Sequence, residues 1–107
     1  LTTKLLHSEY RVEFFEGDVE SLRGLETAGP VLLCCELDDE IAEMRPDYVN
    51  NGGWKPGVAH SVVYFGKVNN LHVIGDPSRG YESWTTMDLN ALWTGEGLKI
   101  VRRPKRR

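Results

Sequence analysis

Two residues sixteen positions apart, His60 and Asp76, have the types and spacing to do chemistry together. A carboxylate beside an imidazole holds one ring tautomer and stabilises the protonated ring. The second ring nitrogen is then free to exchange a proton with a nucleophile. Such a pair is the base and the orienting group of a nucleophilic triad. The opposing reading is structural: a lone strand histidine often only satisfies the core, and Asp-Pro is a common turn starter. Spacing alone leaves both readings open.

The third member of a triad is harder to find. Cys34 and Cys35 are neighbours, and successive strand side chains point to opposite faces. They cannot both ligate one metal in a regular strand, and a bond between adjacent cysteines is strained. With no Cys-x-x-Cys, neither a zinc site nor a disulfide framework is expected. No metal and no cofactor is expected, and the thiols should be reduced and buried or half-buried. Ser61 follows the histidine without a base placed for it. Trp54 can line a substrate groove or merely anchor its loop. Gly52-Gly53 reads as a flexible turn rather than a cleavage site, and His7 and His72 as surface or turn residues. The acidic run from Glu36 to Glu40 reads as a solvated loop, since calcium-loop spacing is absent.

The elements that must position His60 and Asp76 follow from pattern. Ala59 to Phe65 alternates as a strand, with His60, Val62 and Tyr64 on one face. Gly66 to Asn70 is a turn, and Leu71 to Gly75 is the returning strand, ended by Asp76-Pro77. In such a hairpin the start of one strand lies beside the end of the other. Upstream, Tyr10 to Phe15 predicts a strand, Asp18 caps a helix through Val19, Leu22 and Leu25, and Gly29-Pro30 stops it. The continuous apolar run from Pro30 to Leu37 predicts a strand covered on both faces. Arg45 to Gly57 predicts a long irregular loop. Tyr81 to Thr85 is a further strand. Thr86 caps a short helix through Leu89, Leu92 and Trp93, closed by Gly95, and Leu98 to Val101 is the last strand. The fold class is α+β, an antiparallel sheet with few short helices.

Composition sets bounds. The chain has 107 residues, 40% hydrophobic and 27% charged, an ordinary globular mix. No apolar run approaches a membrane span, and no basic-then-apolar segment leads the chain. Of thirteen basic residues, five fall in the last six positions, so the first 101 residues hold eight basic against sixteen acidic. The division expected is a body over 1–101 and a basic tail over 102–107. Nothing aromatic interleaves the tail, so nucleic acid is not an expected partner.

The second half resembles the bacteriocin-processing cysteine peptidases, the double-glycine-leader family with a papain-like domain. The matching residues are Ala59-His60-Ser61-Val62-Val63-Tyr64, Val73-Ile74-Gly75-Asp76-Pro77, Gly80, Leu89 and Trp93-Thr94-Gly95 before an apolar strand. Residues from Tyr10 to Leu37 follow the family's element order without a sharp motif. The resemblance implies that His60 and Asp76 are catalytic, that Trp93 and Gly95 are structural, and that the substrate is a peptide with a Gly-Gly leader. It also implies a chain attached to an exporter of the ATP-binding-cassette type, in the cytoplasm or on the cytoplasmic membrane face. In the family a Cys opens a helix near the domain start, just after a Gln that helps bind the oxyanion. This sequence contains no Gln, and Cys34 and Cys35 sit where the family has no nucleophile. The expectation is therefore the sheet half of such a domain, its front half cleaved off, omitted, or lost; a first residue of Leu1 favours the first two. A Cys-bearing N-terminal segment or chain is the expected partner, and the chain alone should not cleave peptides. Three further readings are a catalytically inactive peptide-binding domain of the same fold, a transglutaminase-like acyltransferase, and an interaction domain with a basic tail.

Overall fold

The computed structural model describes residues 9–25, 27, 29–50 and 53–102. The elements run β1 (Tyr10–Glu16), α1 (Val19–Arg23), β2 (Val31–Glu36), α2 (Asp39–Met44), α3 (Pro46–Asn50), β3 (Ala59–Val68), β4 (Leu71–Asp76), β5 (Gly80–Trp84), α4 (Thr86–Leu92) and β6 (Trp93–Arg102). The strands form one six-stranded sheet in the order β1-β6-β2-β3-β4-β5, with every neighbouring pair antiparallel. The chain is α+β: a single sheet with few short helices.

The β3–β4 hairpin is longer than the sequence pattern suggests. Its turn is Asn69-Asn70, both at positive φ (51° and 67°), and β3 runs on through Val68. Two left-handed residues in a two-residue loop match the twist of the flanking strands, and asparagine tolerates that conformation. The pairing shifts by one residue between Tyr64 and Gly66. Gly66 sits at φ +117° in this bulge, where the chain must break the alternation.

The two expected loops around residues 38–50 hold two helices. The Asp38 side chain accepts from the Ile41 amide at 2.7 Å and opens α2, while Tyr48 of α3 is buried in the core. Each helix is under two turns, too short for an apolar period to show in sequence. The capping residue of α4 is Thr85, which accepts from the Asp88 amide; Thr86 is the first helical residue. Trp93 is not in that helix but opens β6, its indole donating to the Glu96 carbonyl at 2.8 Å. Gly95 lies within β6 at φ +96°, and a Cβ there would meet the Gly17 carbonyl oxygen at 3.0 Å. That close approach lets the Gly17 amide donate to the Gly95 carbonyl and ties β6 to the end of β1. Arg102, assigned to the basic tail by sequence, is the last residue of β6 and pairs with Tyr10; residues 103–107 lie outside the described residues.

The core lies on one face of the sheet. Val31, Leu33 and Cys35 of β2, Val62 and Tyr64 of β3, Ile74 of β4 and Trp84 of β5 are buried there beneath Leu22, Leu37, Tyr48, Trp54, Leu89 and Leu92. The other face is open: Phe14, Phe65 and Tyr81 are all exposed. The apolar run of β2 is therefore covered on one face only, with Leu32 and Cys34 half-buried on the other. A strand at the centre of a sheet loses its edges to neighbours, and its apolar run reflects that position as well as coverage. No helix among the described residues is long and apolar enough to cross a membrane.

Candidate functional site

His60, Val62 and Tyr64 share the core face with His72, Ile74 and Asp76 across the hairpin. Val63 faces Gly75 in the ladder, which puts Asp76 beside Val62 and one diagonal step from His60. His60 Nε2 and Asp76 Oδ1 are 2.7 Å apart. The Asp76 side chain is fully buried, whereas that of His60 is 16% exposed. His60 Nδ1 has no hydrogen-bond partner among the described residues, and no buried polar atom there lacks one, so this nitrogen meets solvent.

Asp76 accepts three hydrogen bonds: His60 Nε2 at 2.7 Å and the Ser78 amide at 2.8 Å on Oδ1, and the Trp54 indole at 2.6 Å on Oδ2. Burial pushes its carboxyl up, but His60, the Ser78 amide and the Trp54 indole outweigh it and hold it below the ordinary carboxylate value. Asp76 is thus an anion at neutral pH. Its acceptor role sets the imidazole tautomer, with the proton on Nε2 and a lone pair on exposed Nδ1.

Trp54 is 1% exposed, so almost none of its surface is open to a ligand. Its ring stacks on His60 (centroids 4.3 Å apart, planes at 27°) and its edge holds Asp76. Tyr48 packs edge-on against it at 5.3 Å and Trp84 at 6.2 Å. This strap is pinned from outside. Glu82 accepts from the Tyr48 hydroxyl and the Trp84 indole and pairs with Arg79, whose guanidinium lies 4.2 Å over the Tyr48 ring. Sequence reasoning missed Tyr48, Arg79 and Glu82, because each bonds across a loop or strand pair that no local pattern encodes.

Cys35 lies opposite His60 in the β2–β3 ladder and is fully buried. Desolvation, then Cys34, then the Asp76 carboxylate push its thiol up to about 12. Cys35 is therefore a neutral thiol at physiological pH and a poor nucleophile. Cys34 projects from the opposite face and is half-buried, and both cysteines are free. No hydrogen bond joins either sulfur to His60 among the described residues.

His72 is not the surface or turn residue expected. It is 2% exposed, with Nδ1 2.8 Å from the Tyr64 hydroxyl and Nε2 3.1 Å from Thr86 Oγ1. The available signal was its phase, since His72, Ile74 and Asp76 alternate onto one strand face. His7 and Gly52 lie outside the described residues. No group of three or more His, Cys, Asp or Glu side chains among the described residues could hold a metal ion. No family model matches the chain, and no curated protein matches its sequence.

Proposed function

We propose that this chain is the dyad-bearing sheet portion of a papain-like cysteine peptidase of the double-glycine-leader kind, with its nucleophile supplied by a Cys-bearing segment outside residues 1–107. The observation that carries this reading is the 2.7 Å His60–Asp76 contact with His60 Nδ1 left open to solvent. A thiol brought to Nδ1 would give up its proton to the ring, forming a thiolate–imidazolium pair stabilised by Asp76. The thiolate attacks the carbonyl after Gly-Gly. The imidazolium protonates the leaving amine as the C–N bond breaks, then the neutral ring takes a proton from water, whose oxygen displaces the thiolate from the acyl carbon. Asp76 stays ionised and orients the ring throughout. A peptide leader as substrate, and attachment to an exporter at the cytoplasmic membrane face, follow from the same reading.

A second reading has its own support. Within the chain, Cys35 is buried and protonated and Cys34 faces away, so peptide binding without cleavage is what residues 9–102 can do unaided. The test is the gene product carrying the sequence that precedes Leu1, incubated with a Gly-Gly leader peptide and followed by mass spectrometry. The peptidase reading expects cleavage after Gly-Gly, lost on His60→Ala and on substitution of the upstream cysteine. Binding without cleavage selects the second reading. Cleavage by the 107-residue chain alone would overturn the requirement for an outside nucleophile.

A further inference from the structure

The buried His72 has no part in the His60–Asp76 chemistry, yet it is fully built into a hydrogen-bonded chain, Tyr64–His72–Thr86. Burial, then Lys67 nearby, lower its proton affinity, so the ring is neutral at pH 7. A neutral imidazole has one donor and one acceptor. Between two hydroxyls it can satisfy only one hydroxyl hydrogen. If Tyr64 donates to Nδ1, then Nε2 donates to Thr86, and the Thr86 hydrogen is left over. In the other tautomer the Tyr64 hydrogen is left over. One hydroxyl donor therefore always remains.

Both residues line one cavity of about 260 Å³, with Val19, Leu22, Lys67 and Arg23 completing its walls and rim. Neither Lys67 nor Arg23 forms an ion pair among the described residues, although the first 101 residues are strongly acidic. Among the described residues, Glu20 is the one carboxylate on this lining. Leu22, Tyr64 and Gly66 also line a neighbouring cavity of about 300 Å³, whose other walls include Leu25, Val31 and Phe65. Polar donors and cations at one end and an apolar chamber at the other are the features of a site that orients its ligand.

We propose that this groove, beneath α1 and at the opposite end of the hairpin from His60, binds an aliphatic carboxylate. The carboxylate accepts from the spare hydroxyl hydrogen of the Tyr64–His72–Thr86 chain and is neutralised by Lys67 and Arg23. The aliphatic part lies along Leu22, Leu25 and Val31. Such a group occurs in a free fatty acid and at the C-terminus of an apolar peptide. Titration of the 15N-labelled chain with octanoate should give saturable shifts at Gly66, Lys67 and Thr86, with octanol binding at least tenfold more weakly. Lys67→Glu should weaken octanoate at least tenfold. Lys55→Glu, an exposed charge on the Trp54 strap, should leave it unchanged. Acetyl-Leu-Leu as the free acid and as the amide separates the two sources: acid-selective peptide binding tighter than octanoate identifies a peptide C-terminus, and the reverse order a fatty acid. Equal binding of octanoate and octanol, retention of affinity in a folded Lys67→Glu variant, or no saturable shift with octanoate or the peptide acid at millimolar concentrations would overturn the proposal.

Discussion

His60 and His72 occupy one hairpin and one face of the sheet, and their surroundings differ. His60 has an ionised partner in Asp76, a stacked indole and an open Nδ1. His72 has two neutral hydroxyl partners and no exposed ring atom to speak of, at 2% exposure. Burial, then Lys67, lower the proton affinity of His72. The same residue type is therefore paired with a carboxylate and partly open to solvent at one end of the hairpin, and hydrogen-bonded between hydroxyls and buried at the other. The lesson is that the partner and the solvent, rather than the strand position, decide what a histidine can do.

The contrast can be broken by substitution. The largest effect concerns leader cleavage by the chain together with the Cys-bearing segment that the peptidase reading requires. On the peptidase reading, His60→Ala should reduce leader cleavage by about six orders of magnitude, as removal of a triad base does, whereas folded His72→Ala should keep it within a few-fold. Rates per folded molecule, measured by mass spectrometry, check this; equal losses would erase the distinction. Stability should run in the opposite order. His72→Ala leaves a cavity and unpairs the Tyr64 and Thr86 hydroxyls, costing about 2–4 kcal/mol. His60→Ala acts on a partly open side chain and should cost less, by urea denaturation of the 107-residue chain.

Acid sharpens the comparison. His72 is held below its ordinary value of 6.5, so between that pH and its folded value the unfolded chain binds more protons. Stability due to His72 is full above about 6.5 and is lost as pH falls toward the folded value. Asp76 is likewise lowered from 3.8, so its contribution is full above that pH and is lost as pH falls through its folded value. Two successive declines are expected in urea midpoints as pH is lowered from 7, and His72→Gln should remove the upper one.

Smaller effects test the supports. Trp54→Phe keeps a ring on His60 but removes the donor to Asp76 Oδ2, and should cost about 1–2 kcal/mol. Smallest of all, a thiol reagent should modify half-buried Cys34 and leave Cys35 untouched until the chain unfolds, because Cys35 is buried and protonated.

The part of the site nearest in sequence was legible without coordinates. Alternation from Ala59, a turn over Gly66 to Asn70 and Asp76-Pro77 place His60 and Asp76 together through hairpin geometry alone. The indole that completes the carboxylate's shell was not legible in that role: Trp54 arrives from a strap whose course depends on Tyr48, Arg79 and Glu82. The phase of His72 with Ile74 and Asp76 marks it as core-facing; the hydroxyls that meet it come from β3 and α4, which no local pattern encodes.

By itself the amino-acid order determined the antiparallel, helix-poor class, the central hairpin and the His60–Asp76 pairing, since strand alternation and turn preferences act over a few residues. Only the tertiary structure decided that β1 closes against β6, that one face of the sheet stays open, and that Cys35 is silenced opposite His60. Those outcomes depend on contacts between segments far apart in the chain, where burial and the supply of hydrogen-bond partners are set by what happens to pack alongside.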